Sequence, residues 1–251
     1  MPSPTPADRS REQEPRAFAT SNWSMIARAG AMDSDGTRAA LAELCRIYWY
    51  PLYWFTRSRG LSQHDAEDLI QAFFEDLLRR NAIARADVAR GRFRTFLLTS
   101  LRNFHSHQRG RAAALKRGGG SELISLDAAG AAEKRFQHEP ATESSPEKLF
   151  DQKWALSLLD TTLNRLCREY TAAAKQAWFD ELKVVLWGGR GEVSYAEIAG
   201  RLSTTEGAVK VAVHRLRARF KECLRDEIAQ TVPNPAEIDD EMRHLFAAVC
   251  L

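Results

Sequence analysis

The chain has little cysteine. Cys45, Cys167, Cys223 and Cys250 are its only four in 251 residues, far apart and never in C-x-x-C spacing. That spacing gives no disulfide framework and no zinc-ligand pattern, and it suits a reducing compartment. Long apolar runs are missing too. No signal-peptide-like run follows Met1 and no stretch is long enough to span a bilayer, so a cytoplasmic protein without a membrane partner is expected. There is no credible strand pattern and no internal repeat. No nucleotide-binding loop, nucleophile elbow or metal-ligand spacing occurs, so no catalytic residue, no metal and no cofactor are expected.

What is present is ordinary globular material, 44% hydrophobic and 27% charged, with a net charge of only +3. The distribution of charge is more informative than its sum. Residues 62–78 carry Asp65, Glu67, Asp68, Glu75 and Asp76 and no Lys or Arg. Residues 90–120 invert this, with Arg90, Arg92, Arg94, Arg102, Arg109, Arg111, Lys116 and Arg117 and no acid. Phe93, Phe96 and Phe104 are interleaved with those cations. A basic helix with aromatics suits nucleic acid, because cations neutralise phosphates and rings stack on exposed bases. Phe93 and Phe104 are nonetheless expected in the core.

Helical periodicity runs through most of the chain. Leu41, Leu44, Tyr48, Leu52 and Phe55 share a face. Pro51 is expected to kink or split that helix, and Gly60 to close it. Ser62 with Asp65 reads as an N-cap, followed by a stripe of Leu69, Phe73 and Leu77. A helix beginning at Pro146 carries Leu156, Leu159, Leu163, Leu166 and Tyr170. Another spans about 175–187, stopped by Gly188 and Gly189, with Trp178 and Trp187 in the core. Near the C-terminus, Asn234 caps a helix with Ile238, Met242, Leu245 and Val249 as its stripe.

The most informative stretch is "SYAEIAGRLSTTEGAVKVAVHRLRARF", residues 194–220. Ser194 with Glu197, and Ser203 with Glu206, have capping-box spacing. Val209, Val213, Leu216, Phe220 and Leu224 then form one apolar face. Lys210, His214, Arg215, Arg217, Arg219 and Lys221 lie off it, and Glu222 is the only acid in 207–225. That is the pattern of a helix-turn-helix whose second helix enters the major groove.

Taken together, "DAEDLIQAFFEDLL", "FRTFLLTSLRN" and the 194–220 stretch resemble a bacterial RNA polymerase sigma factor of the extracytoplasmic-function (ECF) group. The resemblance covers about residues 25–117 and 150–228. It implies an all-α protein of two small helical domains, a region-two bundle and a region-four helix-turn-helix, joined by a flexible linker and followed by a C-terminal helical extension. The corresponding ranges are 1–21 for a disordered tail, 22–117 for region two, 118–147 for the linker, 148–230 for region four and 231–251 for the extension. The implied partners are core RNA polymerase, through the clamp helices and flap of its large subunits, and promoter DNA. An anti-sigma protein or other regulator is a further partner of the family type.

By the same resemblance, Asp65, Glu67, Asp68, Leu69, Gln71 and Phe74 fall on the polymerase-docking helix. Phe96, Arg102, Asn103, His107, Arg109 and Arg111 fall on the helix that opens and reads the minus-ten element. Ser194, Tyr195, Thr205, Glu206, Gly207, Ala208, Lys210, Val211, His214, Arg215 and Arg217 fall on the minus-thirty-five reader. Ala72 stands where many relatives carry an acid. Val211 and Ala212 replace a frequent Ser and Arg, and Val211 suits a thymine methyl.

Two other classes compete. A stand-alone helix-turn-helix regulator would bind duplex DNA without polymerase, but a sensing domain in front of it would normally be α/β. A metal-dependent nuclease would use Asp65, Glu67, Asp68, His105 and His107. On a helix, however, His105 and His107 point about 200° apart, a poor pair of ligands.

Overall fold

The computed structural model describes residues 35–79, 92–112, 126–137, 145–187, 193–232 and 234–250. The expected tail at 1–21, the glycines at 118–120 and the stop at Gly188 and Gly189 lie outside the described residues. So do the side chains of Leu41 and Leu44. All regular structure among the described residues is helical. No helix there is long and apolar enough to cross a membrane.

Helix α1 spans Asp35–Ser58 and runs unbroken through Pro51. Proline removes one backbone hydrogen bond and costs about 3 kcal/mol inside a helix. Every residue from Ile47 to Thr56 is buried, and burying one large apolar side chain returns about 1.5–3 kcal/mol. Packing therefore outweighs the proline. Helix α2 spans Gln63–Arg79. Its cap is the expected one: the Ser62 hydroxyl accepts from the Asp65 N–H at 3.1 Å and donates to the Asp65 carboxylate at 2.6 Å. Helix α3 is Phe93–Ala112.

Helix α4, Leu126–Gln137, occupies the middle of the segment read as a linker. It is fastened to α1. The Glu133 carboxylate accepts from Arg57 at 3.0 and 2.9 Å, from the Tyr53 hydroxyl, and from Gln137 at 3.0 Å. The Arg57 guanidinium, helped by Tyr53 and Gln137, holds the Glu133 carboxyl down at about 2.

Helix α5, Pro146–Ala172, starts where the sequence places it, with the Ser145 hydroxyl accepting from the Lys148 N–H. It is the hub of the molecule. Phe150, Trp154, Ala155, Leu158, Leu159, Thr161, Thr162 and Leu166 are buried on one broad side, and Leu149, Lys153 and Ser157 are buried on the other, so its first half is covered all round. Helix α6 is Gln176–Leu182, continued by a 3-10 turn at Lys183–Val185. Helices α7, Tyr195–Arg201, and α8, Glu206–Ala229, form the helix-turn-helix. A 3-10 turn at Pro235–Glu237, capped by Asn234, leads into α9, Ile238–Val249. One apolar core includes residues of α1, α2, α3, α5, α6, α7, α8 and α9, so helices from both proposed halves share it.

Three helix ends use the same device. After α1, Gly60 has φ +90°, its N–H reaches the Arg57 carbonyl at 2.9 Å, and the Leu61 N–H reaches the Thr56 carbonyl. After α5 the corresponding left-handed residue is Ala174 (φ +56°), and after α7 it is Ser203 (φ +51°). Each pair of backbone bonds is a Schellman motif, which favours glycine at that position. The left-handed region costs a residue with a Cβ about 1–2 kcal/mol, and glycine gives back part of that in unfolded-chain entropy. Ala174→Gly and Ser203→Gly together should raise the melting temperature by about 2–4 °C. Thermal unfolding checks this, and a fall in the midpoint would refute it.

Candidate nucleic-acid interface

The helix-turn-helix is built by its caps. At the start of α7, Ser194 and Glu197 form a complete capping box, with bonds of 3.2 and 2.8 Å. The second box is not at Ser203 and Glu206 as expected. Ser203 is the left-handed corner of the turn, with its N–H on the Gly200 carbonyl at 3.2 Å and the Thr204 N–H on the Ala199 carbonyl at 2.9 Å. The N-cap of α8 is Thr205, whose hydroxyl accepts from the Ala208 N–H at 3.2 Å. Glu206 is therefore the first helical residue. It pairs with Lys210 at 2.8 Å.

The apolar face of α8 is as expected: Val209, Val213, Leu216, Phe220 and Leu224 are all buried. The opposite face begins with Thr205, Glu206, Gly207, Lys210, Val211, His214 and Arg215, all exposed. Val211 is 51% exposed and open to an apolar contact. Ala208 and Tyr195 are half-buried, and Tyr195 packs against the core. Arg217 is engaged elsewhere. Its guanidinium donates to the Leu186 and Val185 carbonyls at 3.2 and 2.6 Å, which ties α8 to the segment after α6.

The acidic helix α2 presents Asp65 and Asp68 to solvent, with Glu67 and Gln71 half-buried. Asp68 lies 3.5 Å from His64, and Gln71 reaches Glu75 at 3.5 Å. Leu69 and Phe74 are 5% and 2% exposed and belong to the core. They hold α2 in place and offer nothing to a partner, because their face is the one packed inward.

On α3, Asn103 and His107 are exposed. Phe96 is half-buried against Phe93, ring centroids 6.1 Å apart. Phe93 is buried, and Phe104 packs on Phe73 at 5.8 Å, both as expected. The side chains of Arg109 and Arg111 lie outside the described residues. Arg102 is held within the molecule: it pairs with Glu147 of α5 and lies over the Phe55 ring at 5.3 Å. No cluster of three metal-ligating side chains exists among the described residues, His105 and His107 included.

Comparison with protein-family models, curated proteins and solved structures found no match for this chain.

The structure brings forward residues that the sequence pattern did not single out. Arg94, in the basic run, is only 3% exposed. It donates to Asp151 of α5 at 2.9 Å and to Glu241 of α9, and lies over the Trp154 ring at 4.3 Å. Arg92 pairs with the same Glu241 at 2.9 Å and with Asp240 at 3.1 Å. The sequence signal was the acidic "DDE" at 239–241, complementary to "RGRFR" at 90–94. Trp187 departs from expectation as well. It is 57% exposed, with its ring edge on Phe220 at 5.1 Å.

Proposed function

We propose that this chain is a transcription initiation factor of the ECF sigma type. It joins core RNA polymerase, reads a minus-thirty-five element with α7 and α8, and engages a minus-ten element with α3. It has no chemistry of its own. The observation that carries the reading is the face of α8 from Thr205 to Arg215. It follows a Schellman turn and a capped helix start, it is solvent-facing, and it carries Lys210 and Arg215 against one acid, Glu206. Cations on a helix of this kind meet phosphates, while its first residues meet base edges.

A second feature separates this reading from plain DNA binding. The exposed carboxylates of α2 would repel a polyanion, so a protein partner accounts for them better. Asp65 and Asp68 are the exposed members of that surface, with Gln71 half-buried beside them.

The test is co-elution with bacterial core RNA polymerase. Wild-type protein is expected to co-elute, and Asp68→Arg with Gln71→Ala to weaken the complex by at least about tenfold, since reversing a charge in a complementary interface costs more than 1.4 kcal/mol. A rival reading has one observation in its favour. The core shared by both halves would suit a single rigid duplex-DNA binder. Failure to bind core, together with a shift of duplex DNA by the protein alone, would establish that stand-alone regulator instead.

A further inference from the structure

Helix α9 has its apolar side, Ile238, Met242, Leu245 and Ala248, buried on the body of the protein. Its acidic end reaches across to the start of α3. Glu241 is 6% exposed and sits between Arg92 and Arg94, while Asp240 pairs with Arg92 on the rim. The same guanidinium of Arg94 also bonds Asp151, so α3, α5 and α9 meet at one charge cluster whose centre, Arg94 and Glu241, is buried and whose outer members, Asp151, Arg92 and Asp240, reach solvent. Eight residues along α3, Arg102 pairs with Glu147 in the first turn of α5.

We propose that α9 is a latch. By holding Arg92 and Arg94 through Glu241 and Asp240, it keeps the basic helix α3 closed on α5 and keeps Arg102 on Glu147 and away from nucleic acid. This deepens the function proposed above and rests on it for its purpose.

The energetics suit a latch. A buried ion cluster costs much to desolvate, so its net contribution is small while it is intact. Loss of one partner leaves an uncompensated buried charge, and the structure then gains by opening. A contact of this kind is close to balance when closed and strongly biased once disturbed. Exposed apolar surface on α9 and α5 is the opposing cost of opening.

The experiment uses the full chain. Glu241→Gln keeps the shape of the side chain and removes its charge, and Asp240→Arg disturbs only the exposed rim, which guards against a variant that fails to fold. Amide hydrogen exchange is read over residues 93–102 and 238–249, and binding is read with a mixed-sequence single-stranded DNA oligonucleotide. Both variants are expected to speed exchange in the two segments, Glu241→Gln by at least about tenfold. Both should also bind the oligonucleotide several-fold more tightly. Adding Arg102→Ala should remove that gain. Unchanged exchange in both variants overturns the latch. Faster exchange without tighter binding, or a gain that survives Arg102→Ala, overturns it as a control on α3. These results do not depend on polymerase, so failure of wild type to co-elute with core would count against the proposed function alone.

Discussion

Arg94→Ala is expected to lower the unfolding free energy by about 3–5 kcal/mol, the range for breaking a buried ion pair from one side. Arg94 is 3% exposed and Glu241 6%. Removing the guanidinium leaves Glu241 buried with Arg92 and the nearby His244 to offset it, and takes the cation off the Trp154 ring. In a chain of this size each kcal/mol moves the midpoint by roughly 2–4 °C, so thermal unfolding should drop by about 10 °C. Urea denaturation gives the free energy directly. The decisive companion is Arg94→Met with Glu241→Leu, which removes both charges and fills the space with apolar atoms. It should recover most of the loss, because a buried pair contributes less in net terms than its halves cost when separated. A loss under about 1 kcal/mol in Arg94→Ala would mean that water reaches the cluster.

Much of the local structure was legible from residues alone. The stripe from Val209 to Leu224 is buried as periodicity predicts, Gly60 closes α1, and Pro146 opens α5 behind its Ser145 cap. These features depend on neighbours within a few positions, and the chain order encodes them. The start of α8 was misplaced by two residues because "STTE" offers three hydroxyls in a row. Only the turn decides among them: once Ser203 takes the left-handed corner, Thr205 is the hydroxyl left at the helix start.

The misreadings share a cause. A basic run reads as a solvated or DNA-facing surface, yet Arg94 is buried because its acid lies 147 positions away. Leu69 and Phe74 sit within a motif of partner-facing residues, but the side they occupy is the inward one. Periodicity predicts one stripe for helix α5, Leu156 to Tyr170. In the fold Leu156 is half-buried, while Trp154 and Leu158 are fully covered. A single-stripe reading cannot find a helix with partners on several sides, because the number of partners is a property of the tertiary fold. The charge complement between 90–94 and 239–241 was visible, but nothing in the order of residues paired the two.

Trp154→Ala is the matching test of that hub. The side chain is 0% exposed and belongs to the core shared by α1, α5, α8 and α9. Truncating a buried tryptophan costs about 3–5 kcal/mol in lost transfer energy and cavity, again about 10 °C or more in the midpoint. Because Arg94 lies over this ring at 4.3 Å, the two losses should not add. The variant carrying both Trp154→Ala and Arg94→Ala should fall short of their sum by about 0.5–3 kcal/mol. The form of the transition matters as much as its position. If one core joins the halves, the helix-turn-helix and the α1–α3 helices lose protection together, at a single midpoint shared by all probes. Segment-resolved hydrogen exchange against denaturant can follow both. Two separate midpoints in the wild-type chain would mean that the halves are independent units resting on one another, and a hollowed Trp154 site would then weaken one half and leave the other unchanged.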